Sequence, residues 1–265
     1  MESLLKNAKE YLIRSQNPDG SWGNGDPYIC ARILNAFSEE DTPKDVLDKG
    51  IGYLVSCQQD DGHYAGKTNM FTDAANTAYP ILVLNKYAFH KASKYISTAL
   101  IWLIENQNED GSWSGRNKNK NLYTTTLCLR ALHFYYFSGI ARYKKGVEYS
   151  LEYIEKMNFY REPVSHVYSP IVNLKKIDRL DKKTEERFKS YATRLIHTSI
   201  MGGQVADIAY LLGTLKALDE KEDSAIAEEW LVSAVNEDGG FGKDLYSKSD
   251  PGTTALVILA IGNEF

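Results

Sequence analysis

One local pattern, repeated along the chain, restricts the fold more than any other feature. Gln16-Asn17-Pro18-Asp19-Gly20-Ser21-Trp22 recurs as Gln58-Gln59-Asp60-Asp61-Gly62-His63-Tyr64 and as Gln107-Asn108-Glu109-Asp110-Gly111-Ser112-Trp113. A fourth copy, Val235-Asn236-Glu237-Asp238-Gly239-Gly240-Phe241, lacks the Gln. An aromatic precedes each copy by five residues, at Tyr11, Tyr53, Trp102 and Trp230, and Tyr153 before Asn158 marks a decayed fifth copy. Gly suits the left-handed backbone at a helix end and Asp is a natural turn residue, so the pattern reads as a helix stop followed by an aromatic that packs back.

A second pattern follows each stop. Polar starts at Asp26, Asp73, Asn121, Asp207 and Asp250, with a less regular one at Pro163, lead into apolar helical stretches. Asp or Asn there is an N-cap, and Pro27 and Pro251 fall at the first helical position. These stretches carry apolar residues on more than one face, which marks inner helices. Outer helices are expected near 2–16, 43–57, 93–107, 144–157, 184–199 and 222–235, alternating with them. The period, about 40 to 50 residues, lies in the range of helical repeats. An open solenoid needs polar terminal caps. The last inner stretch, Thr254 to Ile261, is instead among the most apolar. The reading is therefore an all-α, closed (α/α)6 toroid of six helical hairpins, one domain over residues 1–265.

Composition narrows the function classes. The 265 residues are 43% hydrophobic and 25% charged, with a net charge of −4 and no long basic run, which gives no nucleic-acid surface. Cys30, Cys57 and Cys128 are odd in number and widely spaced, which fits a reducing compartment, so a cytoplasmic location is expected. No apolar stretch reaches the roughly 18 residues of a membrane span; peripheral membrane contact stays open, as does the oligomeric state.

The copies QNPDGSWG, QNEDGSWSG and NEDGGFG, with the starts DAANTA and DPGTTA, resemble the QW repeats and inner helices of the squalene–hopene cyclase, class II terpene cyclase and protein prenyltransferase superfamily. The resemblance covers nearly the whole chain and implies a toroid like the terpene cyclase β domain. It also implies that Gln16, Trp22, Gln58, Tyr64, Gln107, Trp113 and Phe241 tie outer helices together. Class II cyclases protonate their substrate with the middle Asp of a DxDD motif. The nearest match here is Asp73-Ala74-Ala75-Asn76, with Ala75 at the acid position. The other inner helices hold Tyr28, Tyr123, Ser165, Ala209 and Gly252 there.

Candidate site residues follow from repeat symmetry. Asp26, Asp73, Asp207 and Asp250 are expected at one mouth of the ring, either as simple caps or as like charges that raise one another's pKa. The next position, Asn76, Thr124, His166, Tyr210 and Thr253, forms a polar ring of the kind a ligand site uses. Asp73, His166 and Asp207 are the candidate acids and bases. Tyr28, Tyr123 and Tyr210 shape the pocket, with Asn76, Thr124, Asp26 and Asp250 contacting a ligand. No cofactor is expected. A zinc site like that of protein prenyltransferases is disfavoured, because Tyr123-Thr124-Thr125 stands where Asp-x-Cys is required and Cys30 and His63 read as packing and loop residues. Arg116, Lys118 and Lys120 read as a solvated loop, and Gly202-Gly203 and Gly239-Gly240 lack a phosphate-loop setting. Two functions remain: a terpene cyclase-like enzyme acting by acid–base chemistry on a small apolar or isoprenoid-like molecule, or a non-catalytic binding or interaction scaffold.

Overall fold

A computed structural model describes residues 1–66, 73–115 and 119–262, without the side chains of 88–91 and 160. Arg116 and Lys118 lie outside these. The described residues form eleven α-helices: α1 (Glu2–Arg14), α2 (Pro27–Asn35), α3 (Lys44–Ser56), α4 (Ala74–Glu105), α5 (Leu122–Phe134), α6 (Ala141–Lys156), α7 (Val164–Lys176), α8 (Lys182–Met201), α9 (Val205–Ala217), α10 (Glu222–Ser233) and α11 (Pro251–Gly262). Among them α2, α4, α5, α7, α9 and α11 pack each on the next, and α11 returns onto α2. The ring is closed. Its inner helices are buried on several sides: every residue of α11 from Gly252 to Ile261 is buried.

The sequence pattern explains the joints. Gln16 donates from Nε2 to the Gly20 carbonyl (3.2 Å) and to the Val46 carbonyl of α3 (3.0 Å). Gln58 does the same toward Gly62 and Tyr95, and Gln107 toward Gly111 and Arg142, so each Gln binds its own turn and the next outer helix. The aromatics point inward: Trp22 and Trp113 are fully buried and donate from Nε1 to the carbonyls of Leu12 and Leu103, both at 2.7 Å. Tyr64 fills the equivalent place, but its hydroxyl finds no partner among the described residues.

The fourth copy closes the ring. Gly20, Gly62 and Gly111 each abut the backbone of a later outer-helix segment, at Lys49, Thr98 and Lys145, whereas Gly239 abuts Asn7 of α1. Arg14 donates to the Asp238 carbonyl at 2.8 Å across the same joint. The motif that links α1, α3 and α4 each to the next outer helix thus links the last outer helix to the first.

Two expectations need correction. The second inner and third outer helices are not separate; α4 runs unbroken for 32 residues. Between Ile81 and Glu105 the sequence has no Gly or Pro, so nothing local ends the helix. Asp207 is not an N-cap either. Helix α9 begins at Val205, with Gln204 before it, and Asp207 lies inside the first turn. A carboxylate there still complements the helix dipole.

Candidate functional site

The caps are built as their residue types dictate. Asp26 accepts from the amides of Tyr28 and Ile29, Asp73 from Ala75, and Asn121 from Thr124. The Asp250 carboxylate takes both the amide and the hydroxyl of Thr253 at 2.8 Å. Asp26 and Asp73 are buried. Sequence reasoning missed the residue four positions after the starts at Asp26, Asp73, Asn121 and Asp250. Cys30, Thr77, Thr125 and Thr254 accept the backbone N–H of Trp22, Tyr64, Trp113 and Phe241, joining the turn to its inner helix. The recurring small polar side chain at that spacing was the available signal.

The N-termini of α2, α9 and α11 meet at one mouth, where a cleft of about 480 Å3 opens. Its wall includes Ile29, Arg32, Ala206, Tyr210, Lys243, Asp250, Thr253 and Leu256. Behind it, on the ring axis, lies a void of only about 30 Å3, lined by Tyr28, Arg32, Tyr79, Tyr123, Arg130, Ser169, Asn173 and Tyr210 among others. That is room for a water or two. Arg32, Tyr210 and Leu256 belong to both walls.

The axis is cationic. Arg32 is buried and donates from Nη2 to the hydroxyls of Tyr28 (2.6 Å) and Tyr210 (3.0 Å). Its guanidinium lies 4.8 Å from the centre of the Tyr28 ring and 5.9 Å from that of Tyr210. Tyr123 donates to the Tyr28 hydroxyl, and Tyr28 packs on Tyr79 with centroids 5.1 Å apart. Arg130 donates to the Asn173 carbonyl oxygen at 3.3 Å. Burial pushes the phenols of Tyr79, Tyr123 and Tyr210 above the ordinary tyrosine value, so they stay neutral. Burial also lowers the Arg130 pKa, but an arginine keeps its charge in a protein. Among the described residues, phenols and an amide surround both guanidiniums, and no carboxylate pairs with either.

The structure brings Tyr28, Tyr123 and Tyr210 together on the axis, and Tyr210 and Asp250 at the cleft. Asn76 and Thr124 are buried and line neither space. His166 is exposed in the first turn of α7, away from both. Ala75, at the acid position, is buried. Arg32, Arg130 and Tyr79 escaped sequence reasoning; each arginine stands alone in an otherwise apolar inner-helix run, and that isolation was the signal. No group of three or more His, Cys, Asp or Glu able to hold a metal ion occurs among the described residues.

Asp207 is half-buried in the first turn of α9, and desolvation raises its carboxyl pKa. Its ionisation therefore costs more in the folded chain than in the unfolded one. That cost is complete above the folded pKa and vanishes below the unfolded one. Asp207→Asn is expected to raise the urea midpoint at about pH 7, and the gain should fade toward about pH 3, below the ordinary carboxylate value. Urea melts at the two pH values check this; an equal gain at both refutes the assignment.

No described helix is long and apolar enough to cross a membrane. Comparison with known proteins places the ring. The chain is 29% identical over 126 residues to a squalene–hopene cyclase of Zymomonas mobilis, covering 41% of this chain and 19% of that protein. It is 24% identical over 120 residues to a drimenyl diphosphate synthase of Streptomyces showdoensis, covering 41% and 22%. The chain thus spans about a fifth of the length of these curated relatives. Among solved structures it superposes on a protein from Actinoplanes with a TM-score of 0.68 at 13% identity, covering 99% of both chains. It superposes equally well, at 12% identity, on a type II terpene cyclase from Scytonema bound to its product merosterolic acid A, covering 99% of this chain and 96% of that one. These neighbours show the fold. The prenyltransferase alpha-alpha toroid description matches residues 27–167 and 189–263, which include five of the six inner helices whole and the start of α7, and the chain belongs to that family.

Proposed function

We propose that residues 1–265 form one toroidal domain that binds a small, largely apolar or isoprenoid-like molecule at its mouth and does not start cyclisation by protonation. The observation that carries this reading is the Arg32 guanidinium on the axis. A cyclase stabilises a carbocation on aromatic faces. Here the faces of Tyr28 and Tyr210 already serve a fixed cation. A second positive charge about 5 Å away would be repelled by about 3 kcal/mol at an effective dielectric constant near 20. That alone slows a cationic step by more than about a hundredfold. The acid position is Ala75, and the axial void is too small for a polycyclic product. Support for an isoprenoid-like ligand comes from the Scytonema cyclase, which is seen with geranylgeranyl dihydroxybenzoate and, separately, with its product.

A second reading keeps acid–base catalysis, on one observation: the half-buried Asp207 carboxyl, with its raised pKa, lies one turn before Tyr210, which lines the cleft, and acts on its phenol. Asp73, by contrast, is buried as a cap, and His166 is exposed.

One experiment separates the two. The protein is incubated with squalene, geranylgeranyl diphosphate and a prenylated benzoate, and the extracts are analysed by mass spectrometry. Binding without any cyclised or isomerised product is expected. Product that disappears with Asp207→Asn would establish the second reading and refute the first.

A further inference from the structure

Two guanidiniums on the ring axis, Arg32 buried and Arg130 half-buried, with no carboxylate among the described residues to meet them, are an unfinished electrostatic arrangement. A charge removed from water is costly unless paired. Phenol hydroxyls and one amide carbonyl solvate Arg32 and Arg130, but none of these neutralises them. Both Arg32 bonds leave from Nη2, so Nη1 and Nε have no acceptor among the described residues. Arg32 is also the residue that the mouth cleft shares with the axial void. An incoming group therefore reaches it without passing through the core.

We propose that the toroid binds an organic acid, its carboxylate seated on Arg32 where the cleft meets the axial void, with Arg130 behind and the apolar body in the cleft.

This deepens the ligand-binding reading above and rests on it. Three observations select a carboxylate. A guanidinium edge presents parallel donors that match an oxyanion, carboxylate or phosphate, and space and charge then decide between the two. The void behind Arg32, about 30 Å3, is too small for a diphosphate. The charges on the cleft wall are Arg32, Lys243 and Asp250, which leave one net positive charge, the complement of a monoanion. Asp250, the anion in that count, serves as the α11 cap, one oxygen accepting from the Thr253 amide and hydroxyl, and does not pair with Arg32. Asp26 is likewise held by the Tyr28 and Ile29 amides. Ile29, Ala206 and Leu256 supply the apolar part of the wall.

The test uses the full chain and four probes: acetate, acetamide, octanoate and geranylgeranyl diphosphate, at constant chloride. The readouts are the thermal midpoint and intrinsic fluorescence. Acetate should raise the midpoint and acetamide should not. Octanoate should bind more tightly than acetate, because its chain fills the cleft, and more tightly than the diphosphate. Arg32→Gln should weaken octanoate by about tenfold or more, the worth of a charge-assisted hydrogen bond. Acetate and acetamide acting alike, or a diphosphate outcompeting octanoate, would overturn the proposal. So would unchanged octanoate affinity in Arg32→Gln. If that variant does not fold, the wild-type comparison of acetate with acetamide still decides. Cyclised product in the isoprenoid incubation would remove the ligand-binding reading, while the acetate titration judges the carboxylate site separately.

Discussion

Trp113→Ala should lower the unfolding free energy by about 3–5 kcal/mol, the range for truncating a buried Trp to Ala. The side chain is fully buried, and its Nε1–H satisfies the Leu103 carbonyl at the end of α4. A Cβ added at Gly146 of α6 would come within 2.9 Å of its ring, so α6 lies directly on the indole. Removing the ring leaves a cavity that neither helix can fill without moving, and it orphans a carbonyl. With a typical stability of about 5–15 kcal/mol, the loss is a large share of the total. Trp113→Phe keeps most of the volume and should cost less. Urea unfolding followed by circular dichroism checks both; a loss under about 1 kcal/mol for the alanine variant would mean that the turn aromatic does not hold the ring together.

Gly111→Ala is the second large effect, expected at about 2–6 kcal/mol. Two costs add. The residue sits at φ +95°, where a side chain is strained by about 1–3 kcal/mol. Its Cβ would also stand 2.4 Å from the Lys145 carbonyl oxygen and 2.7 Å from the carbonyl carbon, backbone atoms that cannot rotate away. Relieving the overlap costs a further 1–3 kcal/mol or so. Gly52→Ala is the matched control. It lies exposed in α3 with open space where the methyl would go, so it should stabilise by up to about 1 kcal/mol through helix propensity. Opposite signs from the same substitution, read in one series of melts, test whether close approach of the turn to the next helix is what demands glycine.

The fold was legible because its joints are local. Gln107, Gly111 and Trp113 lie within seven residues, and each role follows from residue type and spacing. The fusion within α4 was hidden because a repeat pattern implies a break that the residues near Lys86 do not encode. The start of α9 was misplaced because Asp207 looks like its counterparts at Asp26 and Asp250, yet Gln204 precedes the first turn. The site was legible only by halves. Repeat symmetry gathered Tyr28, Tyr123 and Tyr210, which occupy the same relative position or one beyond it. Arg32 and Arg130 occupy different positions in their own helices, six and nine residues past the start, so no symmetry argument aligns them. Only the ring's curvature brings them to one axis.

The joint between Gly239 and Asn7, reinforced by Arg14, changes how such a protein comes apart. A linear stack has outermost units with a single neighbour, and these peel away first at little cost. Here every hairpin is flanked on both sides. Breaking any one seam exposes two apolar faces simultaneously and relaxes the curvature that holds the tyrosines against Arg32. Disassembly is thus a rupture rather than an erosion, and the anion-ready centre exists only while the circle is whole.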